Sequence, residues 1–589
     1  MTQEQTVTLT LDDVKVTVPK GTTIIEAAEM KLGIRIPRLC YHPELSMQGS
    51  CRVCIVEVKG MPFYMASCSV EVWEGMEVQT NSPEIRQARR DIVELLLDNH
   101  PRACLTCDRD GNCELQNVAY ATGVRDRLFA GERKRFPIEE DGSAVDRNPE
   151  KCILCGRCVR TCAEVQGVYN LSQQGRGFTT VVSPAHNDNM DASVCIQCGQ
   201  CIAACPTAAF TEHDNTEAVW KALADPRKHV VAQTAPAIRA TIGEEFGMPI
   251  GTPATGKLVT ALRRLGFDKV FDTNFTADLT IVEEATEFLN RFEKGERLPL
   301  LTSCSPGWVN FLEKFYPELI PNASTCRSPM SMMSSLLKNY YAEQVGIAPK
   351  NIFVVGIMPC TAKKFESRRP EFISKDGVPD TDAVLTTREL AWMIKNYGIN
   401  LASLPDGNFD SPLGESSGAA DIFGTTGGVM EAALRMAVEK ITGAPPKRME
   451  FKDVRAVEGL RERELKVSDE LTLRVGVANG LTNAKVLLDD ALNGGKQFHI
   501  IEVMACPGGC IGGGGQPYPP PGYRILDRRL LAKRAEALYA IDGAKAVRSS
   551  NHNPAIKSLY EEYLGAPGGK KAHALLHTHY TPRLPRGVR

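Results

Sequence analysis

A surplus of charge of either sign is missing from this sequence: 69 lysines and arginines stand against 71 aspartates and glutamates, a formal net charge of −2 over 589 residues. Without a basic bias there is no electrostatic footprint for nucleic acid or another polyanion. Long apolar runs are missing too. The start, MTQEQTVTLTLDD, has no basic region followed by an apolar stretch, and nowhere do 18 apolar residues follow one another. These absences argue against export and a membrane span, and predict a soluble, cytoplasmic chain. The composition, 43% apolar and 24% charged, is ordinary for a globular protein. Length alone predicts roughly four domains.

Cysteine is what the chain has in excess. Fifteen of its 20 cysteines lie before residue 206 in tight groups; the others are Cys304, Cys326, Cys360, Cys506 and Cys510. A large chain with no export signal has no need of disulfide staples, so clustered thiols point to metal. Spacing then separates iron–sulfur from zinc. Cys40, Cys51, Cys54 and Cys68 give a long gap, a CxxC and a distant fourth thiol, a relative of the plant-type 2Fe-2S layout; a zinc ribbon would use two CxxC pairs. CILCGRCVRTC (152–162) and CIQCGQCIAACP (195–206) are each the bacterial CxxCxxCxxxC run. Two such runs imply two 4Fe-4S clusters with crossed fourth ligands: Cys152, Cys155 and Cys158 with Cys205, and Cys195, Cys198 and Cys201 with Cys162.

Periodicity places these groups on elements. Residues 6–18 read as a hairpin turning at Asp12 and Asp13, followed by a helix through TIIEAAEMKLG. Residues 83–99 read as a helix with Ile85, Ala88, Ile92, Leu95 and Leu96 on its apolar stripe. From about residue 228, strand candidates HVVAQTA, KVFDTN, LPLLTS, IFVVGIM, LRVGVANG and HIIEVM alternate with helices such as 429–442, a doubly wound α/β pattern. The tail from 549 reads as a helix and a docking segment.

Three of those strands deliver cysteine at their carboxyl ends, where open α/β sheets build their sites: LPLLTSCSPGW, IFVVGIMPCTAKKFE and HIIEVMACPGGCIGGGGQP. In the last, glycines 508, 509 and 512–515 remove side chains beside Cys506 and Cys510. The expectation is that backbone there approaches a bulky cluster and offers it N–H groups. A nucleotide is disfavoured, since a phosphate loop would carry a Lys or an acidic partner at set spacing. GTTGG at 424–428, before a helix, reads as packing rather than as an anion site. Cys326 reads as a buried structural thiol.

TSCSPGW, MPCTAKKFE and EVMACPGGCIGGGGQP resemble the three signature segments of FeFe hydrogenases. The amino-terminal half resembles the iron–sulfur subunits of that family and of respiratory complex I, in which His100, Cys104, Cys107 and Cys113 match a His-plus-three-Cys 4Fe-4S site. The resemblance covers essentially the whole chain and is nearest to the multi-cluster clostridial type and the catalytic subunits of NAD(P)-linked or electron-bifurcating complexes. It implies five segments: a β-grasp, plant-type 2Fe-2S domain (1–82), a His/Cys3 domain (83–142), a two-cluster 4Fe-4S ferredoxin domain (143–215), a doubly wound α/β H-cluster domain (216–525) and a small-subunit-like carboxyl segment (526–589).

By the same resemblance the active site is an H-cluster, a 4Fe-4S cubane bridged to a diiron subsite with CO, cyanide and a dithiolate amine. Cys360, Cys506 and Cys510 match its ligands, Cys510 the bridge, while Met358, Lys363 and Met504 match residues lining the diiron pocket. One position departs from the family: adjacent cysteines are usual, but Cys304 is followed by Ser305. Cys304 falls on the proton-relay position and Ser305 on that of the fourth ligand. Serine oxygen ligates, or Cys304 shifts to ligate, or three thiolates hold the cubane; the sequence leaves all three open. Glu284, Glu287, Arg291 and Ser324 match the rest of a proton route, the two glutamates sharing a helix face.

The resemblance thus implies reversible oxidation of H2. Electrons pass along three further 4Fe-4S clusters and one 2Fe-2S cluster to ferredoxin or to flavoprotein subunits that reduce NAD(P), and hydrogenase maturation proteins supply the diiron part. Two alternatives belong to other classes: a non-catalytic hydrogenase-like protein of sensing or cluster assembly, and an electron-transfer subunit of the complex I or formate dehydrogenase type, which would lack the three carboxyl-terminal segments.

Overall fold

The computed structural model of the chain describes residues 5–125, 129, 131–140, 142–446, 448–467 and 471–583. The first four and last six residues of the segments expected above therefore lie outside the described residues.

The chain opens with the expected hairpin. Thr6–Leu11 pairs antiparallel with Val14–Pro19, and Asp12 and Asp13 both take positive φ, 43° and 66°, the backbone of a two-residue primed turn. Thr23 and Glu26 cap the helix Ile24–Leu32, which stops at Gly33 in the left-handed conformation. Strand order Val14–Pro19, Thr6–Leu11, Glu77–Gln79, Ile55–Val58, Met65–Ala66, with the second and third strands parallel, completes a β-grasp sheet.

The helix Pro83–Asp98 forms as expected, capped by the Ser82 hydroxyl, which accepts from Ile85 N. Its buried face differs from the expected stripe. Ile85, Arg89 and Val93 are buried, Ile92 and Leu96 are half-buried, and Leu95 is 55% exposed. Arg89 turns the helix: its guanidinium donates to Ile55 O at 2.6 Å, docking that face on the β-grasp sheet.

The six strands expected beyond residue 228 all form, but in two sheets. Lys269–Asp272, His229–Thr234, Ile352–Ile357 and Ala383–Leu385 lie in that order and are all parallel. Leu300–Leu301, Ile500–Met504 and Thr472–Asn479 are parallel, with Leu460–Lys466 antiparallel at the edge. Helix Thr273–Lys294 packs against Pro329–Leu336 and against Gly428–Thr442. The carboxyl segment adds the helices Arg528–Ala544, Pro554–Leu559 and Lys570–Leu576. Among the described residues no helix is long and apolar enough to cross a membrane.

Candidate active site and cluster relay

The two carboxyl-terminal sheets aim their parallel strands at one cavity. Ala235, Thr273 and Met358 to Cys360 follow strands of the first sheet; Cys304, Ser305, Cys506 and Cys510 follow strands of the second, and all line the cavity. Met504 and Phe423 add apolar wall. Lys363 is the single charged residue among those lining it.

Burial pushes the Cys510 thiol up to about 12 and carries those of Cys506 and Cys360 above the ordinary range; Cys360 further raises both of its neighbours, and Lys363 works against the rise at Cys360 and Cys510. Three soft donors crowded together beside one ammonium, with no carboxylate in the wall, suit a thiolate-held iron–sulfur centre. The Gln200 side chain and the Gly514 N–H also reach the Cys506 sulfur, hydrogen bonds of the kind that hold cluster ligands in place.

Cys304 and Ser305 part company in space. The Ser305 hydroxyl accepts from Ala505 N at 3.4 Å, beside Cys506. The Cys304 thiol packs against the core that holds Met332, Met333 and Met504, where burial first and then Glu284 and Cys510 push it well up. Lys363 Nζ lies 3.4 Å from the Cys304 carbonyl and 2.8 Å from Glu366 Oε2.

Behind Cys304 the four residues expected for a proton route come together. Glu284 is 2% exposed, neither carboxyl oxygen has a hydrogen-bond partner, and burial, then the charge of Glu287, raise its pKa to about 8. Ser324 lies beside it but donates to Glu287 Oε2 at 2.9 Å. Arg291 closes on Glu287 Oε1 at 2.6 Å.

The amino-terminal donors also assemble. Cys51 N points at Cys40 Sγ across 3.5 Å, and Cys54 Sγ is 3.4 Å from Cys68 Sγ. His100, Cys104, Cys107 and Cys113 line one cavity, into which His100 Nδ1 is buried without a hydrogen-bond partner, an orphan a metal would satisfy. Cys162, Cys195, Cys198 and Cys201 line another, the crossed set that the spacing implies. In both ferredoxin loops the residue before the second cysteine takes positive φ, Leu154 at 54° and Gln197 at 60°, and its N–H points at a sulfur, that of Cys152 or Cys195. Arg160 donates to Cys40 O at 2.7 Å, Arg157 bonds Glu114 at 2.6 Å, and Cys198 lines the active-site cavity itself.

The glycine block keeps its expected role at Gly509 and Gly513, which line the cavity beside Cys506 and Cys510, and adds a second one. A Cβ on Gly512 would stand 2.1 Å from Pro507 O, on Gly513 2.1 Å from Pro359 O, and on Gly514 2.5 Å from Cys198 O. At 512–514 the close approach is to protein backbone, and the Gly514 N–H is directed at the Cys506 sulfur. The packing reading of GTTGG stands, since a Cβ on Gly427 would meet Val454 O at 2.1 Å. The anion at that helix start is internal: Glu502, fully buried, accepts from Gly427 N and Met430 N, each at 2.6 Å. Glu502 went unmarked in the sequence, although a carboxylate inside an apolar strand is a legible signal. Its pKa is raised to about 7, chiefly by burial.

Four sets of cluster-forming donors leading to a thiol-lined cavity define an iron–sulfur redox protein, and the comparisons say which. Residues 228–514 match the family "Iron only hydrogenase large subunit, C-terminal domain" and residues 528–583 "Iron hydrogenase small subunit". Residues 4–83 match a 2Fe-2S cluster binding domain, 89–127 the NADH-ubiquinone oxidoreductase-G iron-sulfur binding region, and 151–209 a 4Fe-4S dicluster domain. The chain is 49% identical to the NADP-reducing hydrogenase subunit HndD of Solidesulfovibrio fructosivorans, covering 98% of this chain and 99% of that one. It is 40% identical to iron hydrogenase 1 of Clostridium pasteurianum, over 97% and 99%. A solved variant of the [FeFe]-hydrogenase HydA1 from Chlamydomonas reinhardtii aligns with a TM-score of 0.55 at 44% identity, covering 62% of this chain and 98% of that one. The chain belongs to the iron-only, or FeFe, hydrogenase family: a hydrogenase with an H-cluster domain preceded by 2Fe-2S and 4Fe-4S binding domains.

Proposed function

We propose that this hydrogenase interconverts H2 with protons and electrons in the cytoplasm, exchanging the electrons with NAD(P)-linked flavoprotein subunits. Cys360, Cys506 and Cys510 would hold the cubane, with Ser305 at the fourth ligand position. When bound, the H-cluster supplies an open iron site and a basic amine at which H2 is formed or cleaved.

The chain's own residues then move the proton. Cys304 carries it between the cavity and Glu284, which is mostly protonated at neutral pH and so can both give and receive. Ser324, beside Glu284, donates to Glu287, and Arg291 fixes that outer carboxylate. Lys363, anchored by Glu366 and lining the cavity, would offer charge-assisted N–H donors to a cyanide nitrogen of the bound cofactor. Met358 and Met504 keep that wall dry.

Cys198, which lines both the active-site cavity and that of the crossed thiol set, would place a bound 4Fe-4S cluster next to the H-cluster site, and such clusters would supply the outward electron path. The proton couple lies at roughly −410 mV at pH 7, falling about 59 mV per pH unit on the one-electron slope. Plant-type ferredoxins lie near −400 mV, so either direction runs with little loss. The name of HndD ties that relative to NADP reduction, and a likeness over 98% of the chain supports the same kind of partner here; ferredoxin is the alternative, and maturation proteins load the diiron part.

The observation that carries this reading is the position of Cys304, shared between the cavity wall and a buried carboxyl. The test is H2 evolution from reduced methyl viologen after cofactor maturation, with native protein beside Glu284→Gln and Ser305→Cys. A fall of about 10²-fold or more in Glu284→Gln and an active native protein are expected. An inactive native protein rescued by Ser305→Cys would mean a natural role other than turnover.

A further inference from the structure

The carboxyl-terminal segment brings a donor to the proton route that the mechanism does not use. Arg327 N donates to Leu576 O at 2.8 Å and Thr578 N to Thr325 O at 2.7 Å, so Cys326 and His577 face each other in an antiparallel bridge. That register sets one donor atom each of Glu287, Cys326 and His577 within 4.8 Å of the other two. Cys326 is fully buried and His577 7% exposed. Neither belongs to a cluster ligand set.

The surroundings orient this triad. His577 Nε2 meets Glu283 Oε2 at 3.0 Å, a carboxylate–imidazole pair like those that back metal-bound histidines. Nδ1 meets only the Thr325 hydroxyl, at 2.8 Å, and that hydroxyl also reaches Glu287 Oε1 at 3.3 Å. An ion taking Nδ1 in exchange for the hydroxyl would have carboxylate and sulfur beside it. Towards solvent, exposed His573 stacks on His577, ring centroids 4.5 Å apart and planes 4° from parallel, which gives an arriving cation a first imidazole.

Thiolate, imidazole and carboxylate together suit a tetrahedral thiophilic ion, with the fourth position left to water. We propose that Glu287, Cys326 and His577 form a binding site for such a divalent cation, Zn²⁺ among them, and that the bound ion stops turnover by taking Glu287 out of the proton route. The Cys326 proton leaves to solvent as the sulfur ligates. The binding half stands by itself; the inhibitory half rests on the route proposed above.

The test uses the full chain with its clusters and H-cluster assembled, given one equivalent of ZnCl2 anaerobically. Zinc X-ray absorption should show one sulfur at about 2.3 Å with nitrogen and oxygen at about 2.0–2.2 Å. Cys326→Ser should lose the sulfur, and His577→Gln, which keeps a polar side chain, should bind at least about tenfold more weakly in competition with a chromophoric chelator. Methyl viologen-driven H2 evolution by native protein should fall at least about tenfold and recover on chelation, while each variant keeps its own zinc-free rate. Equal zinc uptake by all three proteins, or a zinc–sulfur distance persisting in Cys326→Ser, overturns the site. Zinc on the three ligands with undiminished turnover upholds the site and removes both the inhibition and Glu287 from the route.

Discussion

The carbonyl oxygen of Cys198 lies 2.5 Å from the point at which a Cβ on Gly514 would stand. The second ferredoxin loop and the glycine block thus touch backbone to backbone, and Gln200 Nε2, donating to Gly512 O at 2.9 Å, ties the same two loops. Because the atoms met are main chain, no rotamer relieves the clash. Gly514→Ala should lower the midpoint of thermal unfolding by an amount equivalent to about 1–3 kcal/mol. Gly543→Ala, a helical glycine with nothing within 4 Å of its Cβ position, is the control and should be neutral or slightly stabilising. Equal midpoints for the two variants would mean that the loops yield without cost.

Glu284 makes stability depend on pH with a definite sign. Its carboxyl is raised from 4.5 to about 8, by burial first and Glu287 second. Between those values the folded chain holds a proton that the unfolded chain has released. The stabilisation is complete below the unfolded value and is lost as pH rises through the folded one. Native protein should therefore lose stability relative to Glu284→Gln between pH 5 and pH 8, by a few kcal/mol at about 1.4 kcal/mol per pK unit. Denaturant midpoints of both proteins at the two pH values decide it; a constant gap would mean that Glu284 is ionised in the fold.

Glu502 seats the helix Gly428–Thr442 by accepting from two of its first free N–H groups. Glu502→Gln keeps one acceptor oxygen and places an amide where the other N–H needs one. Hydrogen bonds to a charged group contribute about 1.5–3 kcal/mol, so guanidinium unfolding at a pH above the Glu502 value of about 7, where its carboxylate is ionised, should show a loss of that order. A change of only a few tenths would mean that water caps the helix equally well.

What was readable in the sequence was what local chemistry dictates. The Asp12–Asp13 turn and the helices Ile24–Leu32 and Pro83–Asp98 depend on neighbours within a dozen or so residues and formed as expected, and the two CxxCxxCxxxC runs, each a local motif, bring Cys162 to Cys195, Cys198 and Cys201 as their pairing implied. The misreadings came from partners far along the chain. Leu95 lost its place in the core because Arg89 found Ile55, 34 residues away. The glycines at 512–514 also answer to Pro507, Pro359 and Cys198, a second demand that spacing does not reveal. His577 reaches Cys326 through strand pairing across about 250 residues, which periodicity cannot register.

His100 gives the sharpest electrochemical prediction. Burial first, then Lys151 and Arg133, lower its pKa to about 4, so the imidazole is neutral at working pH, and its Nδ1 is buried with no hydrogen-bond partner. A neutral nitrogen among three thiolates leaves that cluster one charge less negative than an all-cysteine one, and so easier to reduce. His100→Cys restores the charge. An electron paramagnetic resonance titration should then show one 4Fe-4S signal moving to more negative potential while the other clusters keep theirs. Since electrons from outside would reach that cluster less readily, any partner that enters there should drive H2 evolution more slowly, with the methyl viologen rate less affected. If no signal moves, His100 is not a ligand, and the buried imidazole must find its partner elsewhere.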